Sequence, residues 1–279
     1  MKAITIIPGN GAAQITCRPE PVLQRRSDVK LRVIEVGICH TDHDLLRGFY
    51  GRVPQNQEDL VIGHEMIGQV TEIGPDITQL GVGDYAVCTI RRACEECVPC
   101  KMNRADMCLT GAYLSRGITG LDGFNCEWVV EDEKYVIKVP EEIAHFGAII
   151  EPCAVAEKAI SEAHAVAQAR IPGSVIGSQW FYGRRCLVAG LGTVGLLVSM
   201  LLLMKGAVVY GLDIQEVGAR RPQWLLSIGG TYLRGNQGNI DQLFKDVGPI
   251  DLIFEATGVA SLEFELAEML ARNGIYVLM

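Results

Sequence analysis

Four cysteines, Cys94-x2-Cys97-x2-Cys100-x7-Cys108, have the spacing in this sequence that speaks most directly of chemistry. Tetrahedral zinc takes thiolates at about 2.3 Å, and short Cys-x2-Cys loops turn two sulfurs toward one ion. A shell closed by four protein ligands leaves no position for water or substrate, so this site is expected to be structural. An iron–sulfur cluster also takes four cysteines; the neighbouring motifs favour zinc. The chain holds ten cysteines, and such crowding in a reducing compartment suits metal better than disulfides.

A second set mixes donor types. It comprises Cys39 in Cys39-His40-Thr41-Asp42, His64 and Glu65 in Gly63-His64-Glu65, and Glu151 before Pro152. Catalytic zinc commonly takes three protein ligands of such types and keeps one position open. That position can accept a substrate hydroxyl and lower its pKa. Taken singly, Cys39 reads as a small buried hydrophobe, His64 as a structural histidine, and Glu65 and Glu151 as surface or capping carboxylates. The expectation of a metal rests on their combination.

The third set is Gly190-Leu191-Gly192-Thr193-Val194-Gly195. This G-x-G-x-x-G follows the strand-like Arg185 to Ala189 and opens an apolar helix, the context the motif requires. Gly190 makes the tight turn, Gly192 admits a pyrophosphate to the backbone, and Gly195 lets helix and strand pack. The helix N-terminus favours phosphate. Asp213 ends the next strand, eighteen residues past Gly195. A carboxylate there binds the adenine-ribose hydroxyls and repels a 2′-phosphate, so NAD is expected ahead of NADP.

The elements that must hold these residues change character along the chain. Short alternating apolar runs separated by glycine, such as 30–36 and 66–73, predict β-strands in the first half. Residues 154–169 predict a helix, 171–174 and 180–185 loops. Strand, helix and strand over 185–189, 194–205 and 207–212, with a further strand at 250–254, predict a parallel doubly wound sheet. The expected domains are residues 1–153 and 154–279, an α/β chain with a β-rich first part.

Composition narrows the class further. Of the 279 residues 49% are hydrophobic and 21% charged, which is globular. A formal charge of −8 makes nucleic acid an unsuitable partner. The most apolar run, 196–204, is too short to cross a bilayer. The N-terminal residues read as a strand without a cleavable signal, and a cytoplasmic location is expected.

With these motifs in hand, the chain resembles the zinc-containing medium-chain alcohol dehydrogenases over its whole length. The resemblance implies a GroES-like β-rich catalytic domain and a Rossmann cofactor domain, with Cys39 and His64 on catalytic zinc. Thr41 would pass the substrate proton toward solvent, and Asp42 would orient His64 from behind. Glu65 would be a ligand or stand just behind the metal. Residues 151–160, 117–124 and 247–258 resemble the glucose dehydrogenases of this superfamily. These imply oxidation of the C1 hydroxyl of an aldose to the lactone, Glu151 at the zinc, Glu157 near the sugar, and Thr257 at the cofactor. Such a pocket suits a polyhydroxylated substrate, because carboxylates accept from hydroxyls. A homodimer or homotetramer is also implied.

There are departures. Asp213-Ile214-Gln215 stands where several of these enzymes carry a basic patch for the NADP phosphate, with Arg220 and Arg221 only later. Ser115 and Arg116 stand near where some relatives carry a sugar-binding glutamate. Two other readings remain open: a polyol or simple alcohol dehydrogenase with the same machinery, and a non-catalytic nucleotide-binding or redox-sensing protein. Residues 274–279 read as a buried apolar strand, and the resemblance implies several tens of further residues. Residues 1–279 alone are therefore expected to aggregate and turn over poorly.

Overall fold

The computed structural model describes residues 1–170, 177–235 and 240–279, and the loop expected at 171–174 lies outside them. The chain divides into two compact units, Met1–Glu151 and Pro152–Met279, a little before the boundary expected from the sequence.

The first unit contains β1 (Lys2–Ile6), β2 (Ala13–Cys17), β3 (Asp28–Gly37), α1 (His40–Arg47), β4 (Leu60–Val61), β5 (Glu65–Ile73), β6 (Tyr85–Cys88), β7 (Arg91–Arg92), α2 (Val98–Lys101), β8 (Leu114–Arg116), β9 (Gly120–Leu121), β10 (Trp128–Asp132) and β11 (Val136–Val139). Its main sheet is antiparallel, in the order β10-β3-β5-β6-β11. Val29, Leu31, Met66, Val70, Ala86, Phe124 and Val129 form a core on it. Small sheets β2-β1-β4 and β7-β8-β9 complete the unit. The C-terminal end of β3 runs directly into the Cys39 segment, and Gly37 on β3 pairs with Glu65 at the start of β5. Two metal-site segments are therefore neighbours by strand register.

The second unit opens within α3 (Ile150–Arg170), which begins four residues earlier than the alanine-rich stretch suggested. Proline is tolerated in a first helical turn, where its missing N–H would have no partner, so Pro152 does not delay the start. Next come β12 (Arg185–Ala189), α4 (Thr193–Met204), β13 (Val208–Asp213), α5 (Arg220–Ser227), β14 (Thr231–Arg234), α6 (Ile240–Val247), β15 (Ile250–Glu255), α7 (Ala260–Ala267) and β16 (Leu270–Leu278). All strands are parallel, in the order β14-β13-β12-β15-β16. Successive side chains leave a strand on opposite faces, and both faces here are covered. Cys186, Val188, Leu252 and Phe254 join a core with α3 and α4. Leu187, Ala189 and Ile253 join another with Leu266 and Met269. Strands buried on two faces need continuous apolar runs, which is why 185–189 and 250–254 do not alternate.

Two sequence expectations change. Part of the predicted loop 180–185 is a short 3₁₀ turn, Gly177–Phe181, whose Trp180 and Phe181 rings pack edge to face at 4.9 Å. The last strand is a sheet edge with Ile275 its one buried residue; Leu278 is exposed. Among the described residues it has a strand neighbour on one side only, and its apolar residues are less covered than expected.

Candidate metal and cofactor sites

The cysteine lobe hangs between β7 and β8. Cys97 caps α2, whose Pro99 fixes the first turn, and Cys100 is buried inside it. The four sulfurs of Cys94, Cys97, Cys100 and Cys108 all lie within 4.8 Å of one another. Cys94 Sγ and Cys97 Sγ are 3.5 Å apart, Cys97 Sγ and Cys108 Sγ 4.0 Å. Ligands about 2.3 Å from one tetrahedral ion stand roughly 3.8 Å apart, so the donor set fits zinc. Hydrogen bonds from the Thr110 side chain and from the Cys97 and Glu96 backbone hold the Cys94 thiol down at about 6, which favours the thiolate a metal binds.

At the end of β3, Cys39 caps α1. Its sulfur accepts the Thr41 N–H at 3.3 Å, and Asp42 returns a carboxylate to the Cys39 N–H at 3.0 Å. The side chains of Cys39, His64 and Glu65 converge, with one donor atom from each within 4.8 Å of the others. Cys39 Sγ is 3.0 Å from His64 Nε2, and Glu65 Oε1 is 4.0 Å from the same nitrogen. A Cβ on Gly37 would lie 2.2 Å from Glu65 Oε2, so glycine there makes room for the carboxylate. Gly63 adopts φ +90°, and Gly117 and Gly123 pack against its carbonyl. Phe124 N–H donates to Gly63 O at 2.9 Å. Residues 117–124 thus hold the turn that presents His64.

The electrostatics suit a cation. Burial pushes the Cys39 thiol and the Glu65 carboxyl up, with Asp42 adding to both. Burial pushes the His64 ring down, against Asp42. Glu151 rises to about 7, through burial and then repulsion by Glu65. Burial disfavours the thiolate and the carboxylates, which a bound divalent ion would reverse, and it keeps the His64 ring neutral, the form a metal takes. Glu65 rather than Glu151 completes the close set; Glu151 is near enough for Glu65 to repel its charge.

Behind His64, Nδ1 lies 3.7 Å from Asp42 Oδ1, and both atoms are buried without a hydrogen-bond partner among the described residues. The pair is aligned for orientation but not closed. Sequence reading missed Tyr50. Burial pushes its phenol up, opposed by a hydrogen bond with the Thr41 side chain. An aromatic nine residues beyond Thr41 carries no spacing signal, because the turn at Gly48 brings it back.

In the second unit, the glycine turn joins β12 to α4. A Cβ on Gly195 would lie 1.8 Å from Gly190 O, so only glycine permits this strand–helix approach. Thr193 is the first residue of α4, Val194 the second, and Gly192 its cap. Leu191 is buried, and its N–H donates to Asp213 Oδ2 at 2.9 Å. Gln215 N–H donates to Asp213 Oδ1 at 3.2 Å. Asp213 is thus fixed beside the turn. Thr257 also lies there: its Cγ2 would be 3.0 Å from a Cβ on Gly190, and its N–H donates to Glu255 at 2.6 Å.

Glu157 faces Lys205 at 3.4 Å, beyond the C-terminal end of α4. That is roughly 18 Å along the helix from the turn, at about 1.5 Å per residue. Ser115 is buried in β8, and Arg116 binds Glu131 at 2.8 Å and the Asp122 carbonyl at 2.9 Å. Glu131 also takes the Arg92 guanidinium, so these arginines are tied up inside the fold. Arg220 and Arg221 are exposed at the start of α5.

Comparison with known proteins agrees with this arrangement. Residues 25–141 match the alcohol dehydrogenase GroES-like domain and residues 144–279 the glucose dehydrogenase C-terminus. The chain is 36% identical to a glucose 1-dehydrogenase of Vulcanisaeta moutnovskia, covering all of this chain and 75% of the relative. It is 32% identical to the glucose 1-dehydrogenase of Methanocella arvoryzae, with the same coverage. The solved glucose dehydrogenase of Haloferax mediterranei, in complex with NADP, zinc and gluconolactone, superposes with a TM-score of 0.85. It is 29% identical, over all of this chain and 76% of that one. The two units are a GroES-like domain and a Rossmann-like parallel sheet, and the chain belongs to the glucose 1-dehydrogenase family of zinc-dependent oxidoreductases.

Proposed function

We propose that this chain oxidises the C1 hydroxyl of an aldose to the lactone, with a nicotinamide dinucleotide as hydride acceptor. The observation that carries the reading is the convergence of Cys39, His64 and Glu65 beside Thr41. Zinc in that set would supply Lewis acidity that lowers the pKa of the sugar hydroxyl, while the dinucleotide would accept the hydride. The protein's own work is proton handling and orientation. The Thr41 side chain receives the hydroxyl proton and passes it on, and Tyr50 shares its hydrogen bond. Asp42 holds α1 closed around Cys39 through the reciprocal cap, and faces His64 from behind. Cys94, Cys97, Cys100 and Cys108 hold a structural zinc.

The purified protein, assayed for cofactor reduction across aldoses, polyols and primary alcohols, should favour an aldose such as glucose, galactose or xylose. Faster turnover of simple alcohols than of every aldose would transfer the assignment to the alcohol dehydrogenases at large.

The cofactor proposed is NAD. Asp213 accepts from the Leu191 and Gln215 N–H groups, and a carboxylate at the end of the second strand of such a unit disfavours a 2′-phosphate. Like charges about 4 Å apart repel by about 1 kcal/mol even in water. Asp213→Asn should therefore shift the NADP-to-NAD ratio of kcat/KM toward NADP by about five- to tenfold. An unmodified protein that already prefers NADP would place the phosphate on Arg220 or Arg221 and refute this choice.

A further inference from the structure

We propose that His40, His43 and Asp44 form a third metal-ion site, on α1 and sharing no residue with either cysteine-containing cluster, for a transition cation of the zinc, cobalt or nickel kind. Residues three and four apart share one face of a helix. His40 is followed at those spacings by His43 and Asp44. One donor atom from each lies within 4.8 Å of the other two.

The distances favour joint ligation over direct pairing. His40 Nε2 lies 3.4 Å and His43 Nδ1 3.7 Å from the same oxygen, Asp44 Oδ1. That oxygen is buried, with no hydrogen-bond partner among the described residues. The gaps are too long for good hydrogen bonds. Two donors each about 2.1 Å from one ion stand roughly 3.0–3.4 Å apart at angles between octahedral and tetrahedral, close to what is seen. The imidazole rings, 5.2 Å between centroids, need little movement.

Donor chemistry selects the ion. Two imidazoles with one carboxylate suit zinc, cobalt or nickel, whereas magnesium and calcium prefer all-oxygen shells. His40 and His43 are largely exposed, at 81% and 54% of their side chains, so water completes the shell. With no thiolate, this site fills only after the two cysteine sites are satisfied.

The test is nickel titration of the zinc-loaded protein by calorimetry, with bound metal counted after dialysis. The unmodified chain should take up one nickel beyond its zinc. His43→Ala should weaken that uptake at least about tenfold, since loss of a supporting group alone costs that much at metal sites. Alanine suits a helix, so melting without nickel should not change. His40→Gln, at a more exposed position, should weaken uptake likewise. No nickel uptake by the zinc-loaded chain, or uptake undiminished in both variants, would overturn the site.

Discussion

Cys39→Ser should lower kcat/KM for an aldose by about a thousandfold, equivalent to roughly 4 kcal/mol of barrier at about 1.4 kcal/mol per tenfold. Cys39 is both a donor to the close set with His64 and Glu65 and the cap of α1. Serine is among the best helix caps, so it replaces the sulfur's acceptance of the Thr41 N–H. What it does not replace is the thiolate. The variant should melt like the parent, hold one zinc fewer, and be nearly inactive. Near-parental turnover would remove Cys39 from the catalytic machinery.

Cys100→Ser should lower stability instead. Cys100 is buried within the lobe, 5% exposed, and its sulfur lies among those of Cys94, Cys97 and Cys108. In small zinc peptides metal binding supplies about 10–16 kcal/mol of folding free energy. Losing even roughly 4 kcal/mol of such a contribution would lower Tm by about 8–16 °C for a domain of 150–250 residues. The zinc count should fall by one, while the Cys39 site keeps its ion. Differential scanning calorimetry with metal analysis reads both, and an unchanged Tm in a variant with one zinc fewer would show that the lobe is not held by metal.

Much of this site is legible in the sequence because its chemistry is local. Cys94 to Cys108 spans one loop, and Gly190 to Gly195 needs only a strand before it and a helix after. Their spacing is their geometry. Asp213 is legible for a related reason: a parallel strand–helix–strand unit brings its end back beside the turn, where it meets the Leu191 N–H.

The rest depends on contacts between distant strands. Glu65 and Glu151 read alike as carboxylates near ligands. The β3–β5 register and the space left by Gly37 put Glu65 in the close set. Glu157 reads as a sugar contact only by resemblance of its segment, and its pairing with Lys205 is set by helical phase. Arg116 looked like a change in the pocket, yet it serves a buried carboxylate, Glu131, together with Arg92. Residues 117–124 resembled a family signature without an evident task; their task is to pack glycines against Gly63 and so present His64. Sequence spacing along one strand carries no information about any of these.

The most direct measurement follows the hydrogen at C1. Glucose deuterated at C1 and NAD, incubated with the purified zinc-loaded protein, should yield reduced cofactor carrying the deuterium and gluconolactone or gluconate without it. Mass spectrometry of the recovered cofactor reads this, and the same incubation with Cys39→Ser should yield almost none. Reduced cofactor lacking deuterium, or label retained in the sugar product, would contradict oxidation at C1 and with it the proposed reaction.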